Sequence, residues 1–222
     1  MKKMNKRKVF VVALALCLVA ILSTGSLAWF NATDTITNEF KVATSQDDPT
    51  KVDFSIDVFE HNPDGSENQS GLTFDAILPG MTYAKDPTVK NTGSYNEYVR
   101  VFVTVSDAAA WTAACAKYEI TDLTTIFGGY DDAKWTLGTT TPDTEADTIT
   151  YECYLNRVLP KGGDEVLFTS FTIPSQFTVE DMETLLDFTL TVTAEAIQAD
   201  ALPDTVTDAQ GAFALLTPAE AD

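Results

Sequence analysis

The chain of 222 residues has few of the side chains on which most catalytic and metal sites depend. It contains a single histidine, His61, and only three cysteines, Cys17, Cys115 and Cys153. A zinc protease of the His-Glu-x-x-His type needs two histidines one helical turn apart, so this class is excluded. A Ser-His-Asp triad would have to use His61 as its base, but no nucleophile-elbow motif accompanies it. We therefore interpret His61 as a solvated loop residue.

Other patterns that carry chemistry are missing as well. No Cys-x-x-Cys pair is present to support redox chemistry, and no glycine-rich loop is present to hold a phosphate. The string nearest to an aspartic-protease motif, NTG at 91–93, has asparagine where the acid must be. The loop NPDGSEN at 62–68 matches a calcium-binding EF-hand loop only in part. We therefore predict a protein that is not an enzyme and that holds no metal and no cofactor.

Basic residues are scarce, since 14 lysines and arginines stand against 33 aspartates and glutamates. Five of the fourteen lie within the first eight residues and precede an uninterrupted apolar run, VFVVALALCLVAIL at 9–22. Small residues follow as far as Ala28, which is typical of a secretory signal peptide cleaved between Ala28 and Trp29. An uncleaved membrane anchor is disfavoured because a transmembrane helix needs about 20 apolar residues. We expect residues 1–28 to be removed and the product to be secreted, with membrane contact only during export.

Removal of residues 1–28 leaves a strongly acidic chain, because it takes away five basic residues and no acidic ones, giving a formal net charge of −24. Such a charge repels nucleic acid and anionic lipid, so we expect neither as a partner. The remaining length suits one domain with a hydrophobic core. An exported chain permits a disulfide between Cys115 and Cys153. Two unpaired buried cysteines are an equally good interpretation.

Period-two alternation of apolar and polar residues dominates the rest of the chain and predicts half-buried strands. It is clearest in KVDFSIDVF at 51–59, EYVRVFVTV at 97–105 and FTLTVTAEAI at 188–197. Further strands of this kind are predicted for AKWTL (133–137), TITYECYL (148–155) and VLFTSFTI (166–173). Many short strands separated by Gly- and Pro-rich turns predict an all-β fold, an antiparallel β-sandwich with a few short helices.

Helical spacing interrupts the strand pattern in three places. The first is 107–118, and the second begins at Thr178, where Asp181 three residues on forms a capping pair. The third is a short helix at 207–216 with a capping box that begins at Thr207. It lies in a C-terminal tail, 201–222, which follows a β-sandwich domain at 29–200.

Three stretches together resemble the TasA/camelysin family of secreted biofilm-matrix proteins from Gram-positive bacteria. The first, GSLAWFNATDTITNEFKVA at 25–43, is similar to the junction cut by the dedicated signal peptidase SipW. The second is ILPGMTYAKDPTVKNTGSYNEYVRVFVTV at 77–105, and the third is AEAIQAD at 194–200. The resemblance extends over roughly residues 20–200 and rests on the order and spacing of the three motifs.

This resemblance implies a jelly-roll-like β-sandwich whose copies polymerise into extracellular fibres of the biofilm matrix. It also implies processing by a SipW-like signal peptidase and, as partners, further copies of the chain and other matrix proteins. In such fibres an N-terminal strand of one subunit completes a sheet of the next. The camelysin branch carries a metalloprotease label, which a sequence with one histidine does not support.

The N-terminal strand predicted at 29–43 is unusually apolar for the start of a mature chain. Such a strand can pair with an open sheet edge of its own domain or of a neighbouring copy. The residues that we assign to self-assembly through it are Trp29, Phe30, Ile36, Phe40 and Val42. We expect the first three to be donated to a neighbour, and the last two to begin the domain's own sheet. One chain can adopt both states, with the strand retained in the monomer and exchanged in the fibre.

The leading hypothesis is therefore a secreted, extracellular structural protein that self-assembles into fibres by β-strand addition. One alternative is a secreted adhesin or ligand-binding β-sandwich that stays monomeric. The other, less favoured, is a protease of the camelysin kind.

Overall fold

Twelve β-strands and three short α-helices form the part of the chain that the computed structural model describes, residues 31–36, 54–74, 77–185, 189–200 and 202–216. All of these residues belong to one compact unit, Asn31–Asp222. The strands are β1 (Asn31–Ile36), β2 (Ile56–His61), β3 (Glu67–Asn68), β4 (Thr82–Ala84), β5 (Thr88–Asn91), β6 (Glu97–Ser106), β7 (Phe127–Gly128), β8 (Trp135–Asp143), β9 (Thr148–Leu155), β10 (Asp164–Val166), β11 (Ser170–Thr172) and β12 (Leu190–Gln198). The helices are α1 (Ala108–Lys117), α2 (Val179–Glu183), α3 (Ala209–Ala214) and a 3₁₀ turn at Leu123–Thr125.

The strands form three antiparallel sheets. The largest has the order β1-β12-β6-β9-β8, the second the order β10-β5-β2-β3, and the smallest the order β4-β11-β7. Strand β2 of the second sheet lies against β1 and β12 of the largest sheet, so these sheets face each other as layers. The prediction of an all-β, antiparallel, sandwich-like fold with a few short helices is confirmed.

The centre of the largest sheet is β6, whose valines alternate as the sequence predicts. Val99, Val101, Val103 and Val105 are all buried, and each contributes about 1.5–3 kcal/mol by leaving water. Pairing with β12 on one side and with β9 on the other holds β6 along its length. Tyr98, on the opposite face of β6, is also buried because α3 packs over it.

One predicted strand is divided into two in the structure. The run VLFTSFTI at 166–173 is predicted as a single strand, but β10 ends at Val166 and β11 begins at Ser170. Leu167 and Phe168 between them are both buried, which a half-buried strand with alternating faces does not allow. The chain instead crosses from the second sheet to the smallest one here, since β10 pairs with β5 and β11 pairs with β4 and β7.

The three helices begin close to the predicted positions. Thr178 and Asp181 form the predicted capping box at α2, each side chain bonding the other residue's backbone N–H. Helix α3 forms in the C-terminal tail, but its cap is Asp208 and not Thr207, because the Asp208 carboxylate accepts the N–H of Gly211. In the described ranges, no helix combines the length and the apolar composition needed to cross a membrane.

Candidate assembly edge and its surroundings

Strand β1 forms one edge of the largest sheet. It pairs antiparallel with β12 through six consecutive residues, from Asn31 opposite Ile197 to Ile36 opposite Val192, without a register shift. Among the described strands, β12 is its only hydrogen-bonded neighbour. Within the described ranges, no strand pairs with the outer side of β1, which is the position of an edge strand. Strand β1 is thus paired with its own chain in this structure.

The residues predicted for self-assembly lie mostly beyond the described ranges. Ile36 is the last residue of β1, opposite Val192 of the same chain. Trp29, Phe30, Phe40 and Val42 lie outside the described residues, and so does the predicted cleavage site between Ala28 and Trp29. The pairing of Ile36 is the retained state that the sequence leaves open, and its donation to a neighbour stays a prediction.

Strand β12 offers β1 a regular and rigid template. Val192, Ala194, Ala196 and Ile197 are buried, and β6 pairs with all nine residues of the strand from the other side. Strand β2 covers the same part of the sheet from the facing layer. Because its shape is held by these neighbours, the β12 edge would keep its register if β1 were replaced by an equivalent strand.

The opposite edge of the sheet, β8, differs from β1. Trp135 anchors its start, since the buried indole N–H donates to the carbonyl oxygen of Val166 at 2.9 Å. A register shift between Leu137 and Thr140 then interrupts its pairing with β9. Gly138 lies in this bulge, where a Cβ atom would come within 2.6 Å of the Tyr154 ring. Bulges discourage further strand addition, so β8 is a guarded edge and β1 is a regular one.

A charged cluster crosses the three central strands beside the β1 edge. Arg100 on β6 bonds Glu195 on β12 at 2.6 Å and Glu152 on β9 at 3.1 Å, and its guanidinium lies 4.2 Å from the Phe213 ring centroid. Burial alone would lower the pKa of Arg100, but the hydrogen bond and charge of Glu195 raise it overall, so the group stays charged. The cluster fixes the register of β12 on β6, and Glu195 is the residue opposite Thr33 of β1.

The sequence did not predict this cluster. Its charge pairs can be recognised only when the strand register is known: Glu195 lies directly opposite Arg100, whereas Glu152 lies two residues from Tyr154, the residue opposite Arg100 on β9. No pattern within one strand specifies that pairing.

The histidine lies in a different setting from the predicted one. His61 is the last residue of β2 and not a loop residue, and its Nδ1 atom lies 2.6 Å from the Asp86 carboxylate. The other oxygen of Asp86 accepts the His61 backbone N–H at 2.9 Å. The imidazole packs edge-on against Phe59. Among the described residues, no serine, threonine or cysteine is hydrogen-bonded to this ring, so the arrangement is that of an oriented surface histidine.

Two further carboxylates are fully buried. Glu60 is paired with the buried amine of Lys85. Glu97, at the start of β6, has no hydrogen-bond partner for either carboxylate oxygen among the described residues. Burial raises the pKa of Glu97 to about 8, so its neutral form predominates at pH 7. Within the described ranges, no three His, Cys, Asp or Glu side chains are grouped so as to hold a metal ion.

Cys115 and Cys153 are both free thiols in the structure. Cys153 is buried in β9 between the layers, and Cys115 is half-buried on α1. Burial raises the pKa of Cys115 to about 11 and that of Cys153 to about 12, so neither is a thiolate at neutral pH. In this structure the two thiols are not bonded to each other, and only Cys153 is a fully buried core residue.

No protein-family model, no curated protein and no solved structure matches the chain. The resemblance to the TasA/camelysin family therefore rests on the motifs alone, and the function has to be argued from the geometry of the β1 edge.

Proposed function

We propose that this chain is a secreted structural protein of an extracellular matrix, and that its copies assemble into fibres by exchange of strand β1. The observation that carries the proposal is the regular edge position of β1, which is held by six pairs to β12. A β1 strand from a second copy would restore the same six pairs in the same register. Exchange of an identical element costs little because the strand makes the same pairs in both states.

The connection that follows β1 is long enough for such an exchange. Nineteen residues separate Ile36 from Ile56, where the next described strand begins. Fully extended, a stretch of this length spans about 60 Å, more than the width of a domain of this size. Strand β1 can therefore reach β12 of an adjacent copy without unfolding β2, provided that the segment with Phe40 and Val42 is released together with it.

The polarity of the exchange favours an open assembly. Each copy carries one donor, β1, and one acceptor, the β12 edge that β1 leaves. A copy that donates its β1 to the next copy and accepts β1 from the previous one makes head-to-tail contacts. Such contacts produce an open filament unless the rotation between successive copies brings the last copy back to the first as a closed ring.

Concentration and salt set the balance between the two states. A tethered strand sees its own β12 edge at an effective concentration in the millimolar range, so dilute protein retains β1. The formal net charge of −24 that is expected after export opposes the approach of copies, and added salt screens this repulsion. Fibre growth should therefore rise with protein concentration and with ionic strength.

We extend the proposal to membership of the TasA/camelysin family, with jelly-roll connectivity, processing by a SipW-like peptidase and a place in the biofilm matrix. The three motif stretches support this wider statement. The polar pairs described above, His61 with Asp86 and Glu60 with Lys85, give no support to the protease alternative.

A disulfide that locks β1 onto its own β12 tests the exchange. Thr35 and Thr193 are directly opposite each other, so cysteines at both positions lie within bonding reach. The variant T35C/T193C, in a chain that begins at Trp29 and carries C115A and C153A, should remain monomeric when oxidised. Addition of a reductant should restore fibre growth, followed by light scattering and negative-stain microscopy.

The matched control is T35C/T191C, which is displaced by one same-face position and should not lock. Fibres that grow equally well from the oxidised T35C/T193C chain would refute strand exchange. Parent protein that stays monomeric at high concentration and high salt would favour the monomeric adhesin or ligand-binding alternative. Casein cleavage that depends on added zinc would favour the protease alternative.

A further inference from the structure

A cavity of about 410 Å³ lies between the largest sheet and the segment 121–132. Its size falls within the range of about 300–1,000 Å³ typical of small-molecule sites. It is separate from the β1 edge, since its walls come from β6, β8 and β9 and from the chain around the 3₁₀ turn. Nothing in the proposed assembly uses it.

The inner wall of the cavity is aromatic. Phe127 lies at its centre, with ring centroids 4.9 Å from Phe168 and 6.1 Å from Tyr151, and Tyr130 completes the wall. The remaining apolar lining is aliphatic, and Leu137 at the mouth is 44% exposed. Such a wall favours a flat ring, which gains both burial and favourable ring–ring contacts.

One polar group in this wall is unsatisfied. The Tyr130 hydroxyl is buried and has no hydrogen-bond partner of ordinary geometry among the described residues. The polar group beside it is the thiol of Cys153, which is only a weak partner. A buried hydroxyl without a partner costs free energy that a bound acceptor would recover. Because this oxygen exposes almost no surface, the acceptor reaches it only when the ligand displaces the adjoining side chains.

The mouth of the cavity is acidic. Asp122 and Asp132 both line it and are exposed, and none of the described lining residues is a lysine, arginine or histidine. The Asp122 carboxylate accepts hydrogen bonds from the Thr124 hydroxyl and backbone N–H, which lower its pKa and keep it ionised. This field, added to the negative charge of the whole chain, repels anions.

We propose that this cavity binds a small molecule without negative charge that carries an aromatic ring and one hydrogen-bond acceptor. The ring packs on Phe127 and Tyr151, which keep some exposed surface, with Phe168 behind Phe127, and the acceptor takes the hydrogen bond of the Tyr130 hydroxyl. The acidic mouth excludes anionic compounds of the same shape.

The test uses Prodan, a neutral naphthyl ketone whose fluorescence brightens and shifts to the blue in apolar sites. Titration into the purified monomeric protein should give saturable binding with one site per chain. Anionic anilinonaphthalene sulfonate, which has a similar ring system, should bind at least tenfold more weakly because of the acidic mouth.

Two substitutions connect the binding to the cavity. Y130F removes only the hydroxyl and should weaken Prodan binding about three- to tenfold, the effect of one neutral hydrogen bond, without lowering the melting temperature. T140W fills the cavity from exposed strand β8 and should abolish saturable binding. The controls are Y95F and T141W, at positions outside the lining, and both should bind as the parent does.

Absence of saturable Prodan binding to the parent protein would overturn the proposal. So would binding that is unchanged in T140W, because the probe would then lie elsewhere on the surface. Unchanged affinity in Y130F would remove the assigned hydrogen bond and with it the requirement for an acceptor. These results do not depend on whether fibres form, since all measurements use the monomer.

Discussion

The buried carboxyl group of Glu97 should make the protein less stable as the pH rises through neutrality. Its side chain is fully buried, neither oxygen has a hydrogen-bond partner among the described residues, and burial raises its pKa to about 8. In the unfolded chain the pKa returns to about 4.3. Between these two values the native state holds a proton that the unfolded chain has released. Stability therefore falls with rising pH in this window.

The size of the effect follows from the two pKa values. Each pKa unit corresponds to about 1.4 kcal/mol, so Glu97 should cost the native state about 2–3 kcal/mol between pH 5 and pH 7. The substitution E97Q keeps the shape of the side chain and removes its titration. E97Q should therefore gain stability relative to the parent as the pH rises. The difference between their free energies of unfolding should grow by about this amount between pH 5 and pH 7.

Urea unfolding followed by tryptophan fluorescence at several pH values measures this difference. The comparison with E97Q cancels the opposite pH dependence of carboxylates such as Asp181, whose pKa is lowered mainly by its hydrogen bond to Lys117. The exposed Glu145 provides the control, and E145Q should follow the parent at every pH. A difference between E97Q and the parent that is constant with pH, or that decreases as the pH rises, would show that Glu97 is not a buried group with a raised pKa.

Three further predictions concern the rest of the fold. R100M should destabilise the protein by about 2 kcal/mol, because it leaves the Glu152 and Glu195 carboxylates without their shared partner. Urea unfolding measures this change, and an effect below about 0.5 kcal/mol would contradict the prediction. T178A should cost about 1 kcal/mol through loss of the α2 capping box, and an unchanged melting temperature would contradict it. In urea, a thiol reagent should detect two thiols in the exported chain, at Cys115 and Cys153. In native buffer at pH 8 it should detect almost none, because burial raises the pKa of both thiols. Absence of thiols in urea would mean that the two cysteines are bonded.

The alternation of apolar residues predicted the fold class because it reports burial strand by strand. In β6 the sequence pattern and the buried positions agree at all four valines. The alternation pattern failed at 166–173, where two adjacent buried residues lie at a crossing between sheets. Apolar periodicity reports burial but does not show where the chain passes from one sheet to another. The capping pair of Thr178 and Asp181 was predictable because its two hydrogen bonds lie within four residues.

The features around the candidate site depend on contacts that no local pattern records. The order of strands in a sheet, and hence the edge position of β1, is set by pairing between distant segments. The same applies to the cluster around Arg100 and to the hydrogen bonds that orient His61 on Asp86. The isolation of Glu97 could not be predicted either, because alternation places it on the buried face but does not say whether a partner lies there.

The central claim is that β1 of one copy lies on β12 of another in the assembled state. Chains that carry T35C are mixed with chains that carry T193C, both with C115A and C153A, and are assembled under reducing conditions and then oxidised. The account predicts a disulfide-linked pair of chains on a non-reducing gel, present in the fibre fraction, absent from the monomer fraction and absent when T191C replaces T193C. The control is the T35C/T193C double variant, which should form the bond within one chain. If that bond forms but the mixed fibres contain no disulfide-linked pair of chains, the claim is contradicted.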